Sequence, residues 1–164
     1  MSQEEILEGK KILAVDDEPD VLDSLEELLP MVSLFKATDF ESAKEALENE
    51  PFDLLILDIM GVNGYQLLEI AVNRDITTVM LTAHALSPDD IIKSYKKGAA
   101  SYIPKDEMAN IVSFLCDVLE AKQKNKSTWN RWLDRFSSYC QSHFGVNWQD
   151  KDKEFWERFI SYDT

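Results

Sequence analysis

Cysteine is scarce in this 164-residue chain: it has two, Cys116 and Cys140, and they form no CxxC pair. With only two histidines and no His/Cys cluster, neither a disulfide framework nor a zinc site is indicated, and both thiols read as packed, free side chains. Long apolar runs are also missing. The wholly apolar stretches fall far short of the ~20 residues that a bilayer-crossing helix needs, which excludes a helical membrane span. Basic residues are few, 17 Lys/Arg against 31 Asp/Glu for a net charge of −14. That balance argues against a surface for nucleic-acid phosphates. The N-terminal MSQEEILEGKK has acids where a secretory signal would be basic, and no long apolar core follows, so the expected location is the cytoplasm. No internal repeat and no low-complexity segment is found.

What is present suits a globular fold. Hydrophobic residues make up 45% and charged residues 29%, and the length allows one domain with a real core plus a small appendage. The acidity is uneven: residues 1–121 carry 9 Lys/Arg and 25 Asp/Glu, whereas residues 122–164 carry 8 and 6. Across the first part, short apolar runs alternate with amphipathic ones. The pattern predicts strands at 11–15, 32–37, 53–58, 77–82 and 101–104, with helices at 19–29, 40–49, 65–73, 87–97 and 106–122 between and after them. Pro19 opens the first helix, Asp39 or Thr38 is available to cap the second, Ser87 and Pro88 start the fourth and Gly98 stops it. Five strands each followed by a helix imply crossover connections and parallel pairing. The fold class is therefore α/β, a doubly wound five-stranded parallel sheet covered on both faces.

KQKNKST, residues 122–128, is a polar break read as a linker, and composition shifts beyond it. Residues 129–164 hold 10 of the chain's 17 aromatic side chains. Trp129, Trp132, Leu133, Phe136, Cys140 and Phe144 share one helical face, Phe155, Trp156, Phe159 and Ile160 form a shorter stripe, and Gly145 lies between them. This aromatic-rich extension reads first as helices packed back on the main domain, and next as a surface for a homodimer or another partner. Membrane-surface binding and a DNA-reading helix pair rank below these, because the segment has few basic residues.

The run LLILDIMGVNGY poses the chemical question, because a buried strand ends on an acid, Asp58. Asp16 and Asp17 follow the first strand, Thr82 ends the fourth and Lys105 follows the fifth. Parallel strand ends point the same way, so three carboxylates, a hydroxyl and an ammonium should meet at one edge of the sheet, where open α/β folds bind ligands. Clustered carboxylates repel one another unless a cation neutralises them, and an all-oxygen set suits Mg2+. With the adjacent acids holding the metal, Asp58 is free to act as a nucleophile on phosphorus, and Lys105 can share the charge of the phosphoryl oxygens.

On these residues the chain, over 10–121, resembles the receiver domain of bacterial two-component response regulators: KILAVDDEP with its acidic pair, DLLILD with the phosphoacceptor position, VMLTA with the hydroxyl, and GAASYIPK with an aromatic and the lysine. The resemblance implies a flavodoxin-like sheet of order 2-1-3-4-5. It implies that Asp16, Asp17 and Asp58 bind Mg2+ with the backbone carbonyl of Met60, and that Asp58 takes the phosphoryl group. Thr82 would hydrogen-bond that group, Lys105 would pair with it, and Tyr102 would be the aromatic that swings inward when Thr82 moves. It implies as partners a sensor histidine kinase or phosphotransfer protein and an effector protein, with no nucleic acid and no membrane span. Such a protein is a signalling switch and not an enzyme with a turnover substrate. Domain bounds follow as a receiver over 1–121, a linker over 122–128 and the extension over 129–164. Two departures stand out. DIMGVNG is about two residues shorter than the family's usual loop and lacks its proline, and Asp106 replaces the proline that commonly follows the lysine. His84 reads either as facing an acyl phosphate or as a solvated loop residue, and His143 as a helix-surface residue. Two rival readings are a degenerate receiver that only binds a partner and a metal-dependent phosphohydrolase, the latter opposed by the lack of a DxD spacing and of a cap-sized insertion.

Overall fold

A computed structural model of the chain describes residues 2–82, 87–126 and 129–162. His84 lies outside the described residues, as do the side chains of Leu133, His143, Phe159 and Ile160. Five strands form one parallel sheet: β1 (Lys11–Val15), β2 (Ser33–Ala37), β3 (Leu54–Leu57), β4 (Thr77–Thr82) and β5 (Ser101–Pro104). The order is β2-β1-β3-β4-β5, with all neighbours parallel. Every residue of β3 and β5 is buried, which requires cover on both faces of the sheet and accounts for the unbroken apolar run of β3.

The crossovers are α2 (Pro19–Leu28), α3 (Phe40–Asn49), α4 (Gly64–Asn73) and α5 (Pro88–Lys96), and α6 (Ile111–Gln123) follows β5. Their starts are encoded locally. Asp39 caps α3, accepting from the Ser42 backbone N–H at 2.7 Å. At α5 the Ser87 backbone N–H and hydroxyl both donate to Asp90 Oδ2 at 3.2 Å, and Pro88 occupies the first turn. Gly98 ends the same segment at φ +99, a conformation that a side chain would oppose.

Two local features differ from the sequence reading. A short helix, α1 (Gln3–Leu7), precedes β1; Ser2 accepts from the Glu5 N–H, Leu7 is fully buried, and the Cys116 thiol donates to the Gln3 carbonyl at 3.4 Å. Five residues are too few to register a helical period, and α1 is held by its contacts with α6. The helix expected from 106 begins at Ile111 instead, after a 3₁₀ turn over Lys105–Asn110. No residue of that turn is fully buried, so tertiary packing takes hold only from Ile111 onward.

The extension packs back on the domain. α7 (Trp129–Phe144) and α8 (Lys153–Tyr162) are joined through Gly145 at φ +96 and a short 3₁₀ turn. Trp129, Trp132, Phe136, Cys140, Trp148 and Trp156 are buried in the same core as the sheet, and Phe144 is half-buried. The rings interlock: Phe136 lies 5.1 Å from Phe114 of α6, Tyr95 of α5 meets Trp129 at 5.4 Å and Phe155 at 5.6 Å, and Trp148 meets Trp156 at 4.8 Å. Among the described residues, no helix is long and apolar enough to cross a membrane.

Candidate functional site

Pairing of Val15 with Leu57, of Leu57 with Met80 and of Thr82 with Pro104 brings the ends of β1, β3, β4 and β5 to one edge. Asp16 and Asp58 are buried there, one residue past β1 and β3, and the Asp58 backbone N–H donates to the Val15 carbonyl at 3.0 Å. Asp16 is held by the Glu18 backbone N–H, which donates to Oδ1 at 2.9 Å. Lys105, on the residue after β5, reaches back across the edge. Its Nζ stands 3.0 Å from Asp16 Oδ2, 3.2 Å from Glu18 Oε1 and 3.9 Å from Asp58 Oδ1. The expected residues Asp16, Asp58 and Lys105 thus form one contiguous group.

The turn after β3 closes over these acids by means of two glycines. At Gly61, φ is +81 and a Cβ would fall 2.3 Å from Asp17 Oδ2, so this turn runs directly against the Asp17 carboxylate. Met60 precedes it with its side chain exposed. At Gly64 a Cβ would fall 2.2 Å from the Asp58 carbonyl oxygen, so only glycine lets α4 start this close to the acid. Asn63, at φ +52, supplies the left-handed step between them.

One ammonium does not balance this much negative charge. Burial first, then repulsion by Asp16 and Asp17, raises the Asp58 carboxyl to about 7, although Lys105 opposes the shift. Burial likewise raises Asp16. Burial alone would lower the Lys105 ammonium, but Asp16, Asp58 and Glu18 together outweigh it and raise its pKa. Asp16, Asp17 and Glu18 each offer a carboxylate oxygen within 4.8 Å of the others. Asp16 Oδ2 is buried, with the Lys105 ammonium 3.0 Å away. An oxygen-only donor set with surplus negative charge fits a hard divalent cation, Mg2+ among them.

Thr82 is buried at the end of β4, with its Oγ1 beside the Tyr102 phenol but in no well-formed hydrogen bond among the described residues. The Tyr102 phenol is buried beside it. Burial pushes that phenol well above the usual range, with Asp90 adding to the shift and Thr82 opposing it. Tyr65 donates its hydroxyl to Asp90 Oδ1 at 3.0 Å, tying α4 to α5 on the same side. Sequence reasoning missed Glu18, although it directly follows the acidic pair, and it missed the close approaches of Gly61 and Gly64, which no spacing rule announces.

The family model of the response regulator receiver domain matches residues 12–115. The chain belongs to that family. Among relatives of this receiver, the two-component response regulator ARR18 of Arabidopsis thaliana is 38% identical over 104 residues, covering 59% of this chain and 16% of that protein. The two-component response regulator ARR10 of the same plant is 34% identical over 131 residues, 73% of this chain and 23% of that protein. This chain therefore spans under a quarter of the length of both relatives. In structure the receiver resembles a CheY-like receiver domain protein of Methanospirillum hungatei JF-1 with a TM-score of 0.59 and 27% identity, over 70% of this chain and 98% of that one. The receiver domain of NtrX from Brucella abortus is similar too, with a TM-score of 0.59 and 27% identity over 66% of this chain and 98% of that one.

Proposed function

We propose that the protein is a phosphoacceptor switch in two-component signalling, with a receiver over residues 1–121, a linker over 122–128 and the aromatic extension over 129–164. Asp58 takes a phosphoryl group from a sensor histidine kinase or a phosphotransfer protein. The observation that carries this reading is Lys105 Nζ set between Asp16 at 3.0 Å and Asp58 at 3.9 Å on the strand-end edge where the buried Thr82 also ends β4.

Asp16, Asp17 and Asp58 would hold Mg2+, with the Met60 carbonyl completing the protein ligands. When bound, the ion neutralises phosphoryl charge and keeps the Asp58 carboxylate ionised. A carboxylate oxygen of Asp58 attacks phosphorus in line, the bond from phosphorus to the donor imidazole nitrogen breaks, and that nitrogen keeps the electron pair and takes a proton from solvent. Lys105 moves from its ion pair with Asp16 toward the phosphoryl oxygens, and Thr82 Oγ1 donates to one of them. Gly61 and Gly64 keep the covering turn thin enough for a donor to approach. Tyr102, next to Thr82, passes the change to the α5, β5 and α6 side of the receiver, and an effector protein responds to it.

Intact-protein mass after incubation with acetyl phosphate tests this reading, with and without Mg2+, on the wild type and on Asp58→Asn. A Mg2+-dependent gain of one phosphoryl group, absent in the variant, is expected. No gain, with Mg2+ binding intact, would make the protein a receiver that binds its partner without phosphorylation, and full phosphorylation of Asp58→Asn would remove Asp58 from the role.

A further inference from the structure

The extension is bonded to the backbone of the strand that carries Tyr102. Trp132 Nε1 donates to the Tyr102 carbonyl oxygen, and Trp129 Nε1 donates to the Ala99 carbonyl oxygen at 3.0 Å. Both indoles are buried, and Phe136 extends the contact to Phe114 of α6. Cys140, two helical turns beyond Trp132, is buried and lies within electrostatic reach of the Tyr102 phenol. Tyr102 is thereby enclosed. The residue is 4% exposed, and the Trp132 indole seated on its carbonyl forms part of that cover.

This enclosure means that Tyr102 cannot turn outward while α7 stays seated. The inward seat in turn depends on where Thr82 sits: its buried hydroxyl adjoins the Tyr102 phenol without a well-formed hydrogen bond among the described residues, and a phosphoryl oxygen on Asp58 would give it an acceptor. We propose that α7 is a built-in ligand of the α5–β5–α6 face that holds Tyr102 inward, so that docking of the extension and phosphorylation of Asp58 strengthen each other. Thermodynamic reciprocity makes the coupling run both ways: the phosphorylated protein holds α7 more tightly, and a seated α7 prolongs the acyl phosphate. The face is then occupied by the chain's own helix in the signalling state, so an effector meets α7 and not a bare receiver surface. This inference rests on phosphorylation of Asp58.

Cys140 reports on the seat directly, because a buried thiol alkylates only when α7 opens. The experiment follows Cys140 alkylation by peptide mass in the full chain, before and after acetyl phosphate with Mg2+, with the phosphoryl gain verified on the intact protein. Cys116, buried in α6 against Gln3, is the internal control. Phosphorylation is expected to slow Cys140 labelling about 10-fold and to leave Cys116 unchanged. Trp132→Phe, which keeps a ring and removes the donor to Tyr102, is expected to speed Cys140 labelling and to shorten the acyl-phosphate lifetime, each about fivefold. A verified phosphoryl gain with Cys140 labelling unchanged or faster overturns the coupling and leaves the phosphoacceptor reading intact. Equal acyl-phosphate lifetimes in wild type and in a Trp132→Phe variant whose Cys140 labels faster would overturn it as well. No phosphoryl gain at all removes both.

Discussion

The strand-end edge and the α7 interface are built on opposite physical terms. At the edge, Asp16 and Asp58 are carboxylates withdrawn from water beside one lysine, an arrangement that costs stability until a cation and a phosphoryl group complete it. At the α7 interface, Trp129, Trp132 and Phe136 withdraw apolar rings from water, and the two indoles place their N–H groups on backbone carbonyls, so the contact stabilises as it stands. The first region stores a functional demand and the second supplies mechanical linkage. Tyr102 belongs to both, with its phenol near Thr82 and its carbonyl bonded to Trp132.

Substitutions should separate the two regions. The largest expected effect is on the aromatic side: Trp132→Ala removes a buried indole and should cost about 3–5 kcal/mol of α7 docking. Hydrogen exchange should then quicken throughout α7 while β1 and β3 stay protected, and equal loss in the sheet would mean that the two parts unfold as one unit. On the acid side the sign reverses, because Asp58→Asn should stabilise the protein in the absence of divalent cations. The Asp58 carboxyl is raised by burial to about 7 in the fold, so the folded state binds that proton more tightly than the unfolded chain does. The contribution of this one group to stability is therefore highest at low pH and falls as pH rises from about 4 through about 7, and Asn removes the penalty. Urea melts at pH 8 should show a gain of about 2–4 kcal/mol over wild type, shrinking when Mg2+ is added. Equal stability of the two proteins at pH 8 without Mg2+ would show that the edge carries no such penalty.

Lys105→Met should slow phosphorylation by acetyl phosphate about 100-fold, read from the rate of mass gain, by taking away the one ammonium poised for the phosphoryl oxygens. A rate within a factor of two of wild type would separate Lys105 from the chemistry. The smallest effect should come from Tyr139→Phe, which loses the 3.4 Å hydrogen bond from the Tyr139 hydroxyl to Asp106. A cost of about 0.5 kcal/mol in thermal melts is expected there, with phosphorylation unchanged.

The edge was legible in advance because its residues are fixed by strand endings. A buried strand closing on Asp58, an acidic pair closing the first strand and a lysine after the fifth leave little freedom once the strands are parallel. The parallel pairing and the element bounds agree with the alternation of apolar and amphipathic runs, apart from α1 and the 3₁₀ turn at Lys105–Asn110, and the strand order is the one that the family resemblance implies. Those two are short, and a period cannot be read from five or six residues. Glu18 was hidden because its part depends on the reach of Lys105 across the edge, and Gly64 because its part depends on the nearness of the Asp58 carbonyl.

Periodicity and strand-terminal acids, both local along the chain, determined the parallel α/β sheet and the gathering of Asp16, Asp58, Thr82 and Lys105. An aromatic stripe says only that a helix face must be buried, because the hydrophobic effect has no direction and any apolar surface would satisfy it. Hydrogen bonds do have direction. The tertiary structure alone decided that α7 sits on the strand of Tyr102, since two indole N–H groups find acceptors on the carbonyls of Ala99 and Tyr102 there.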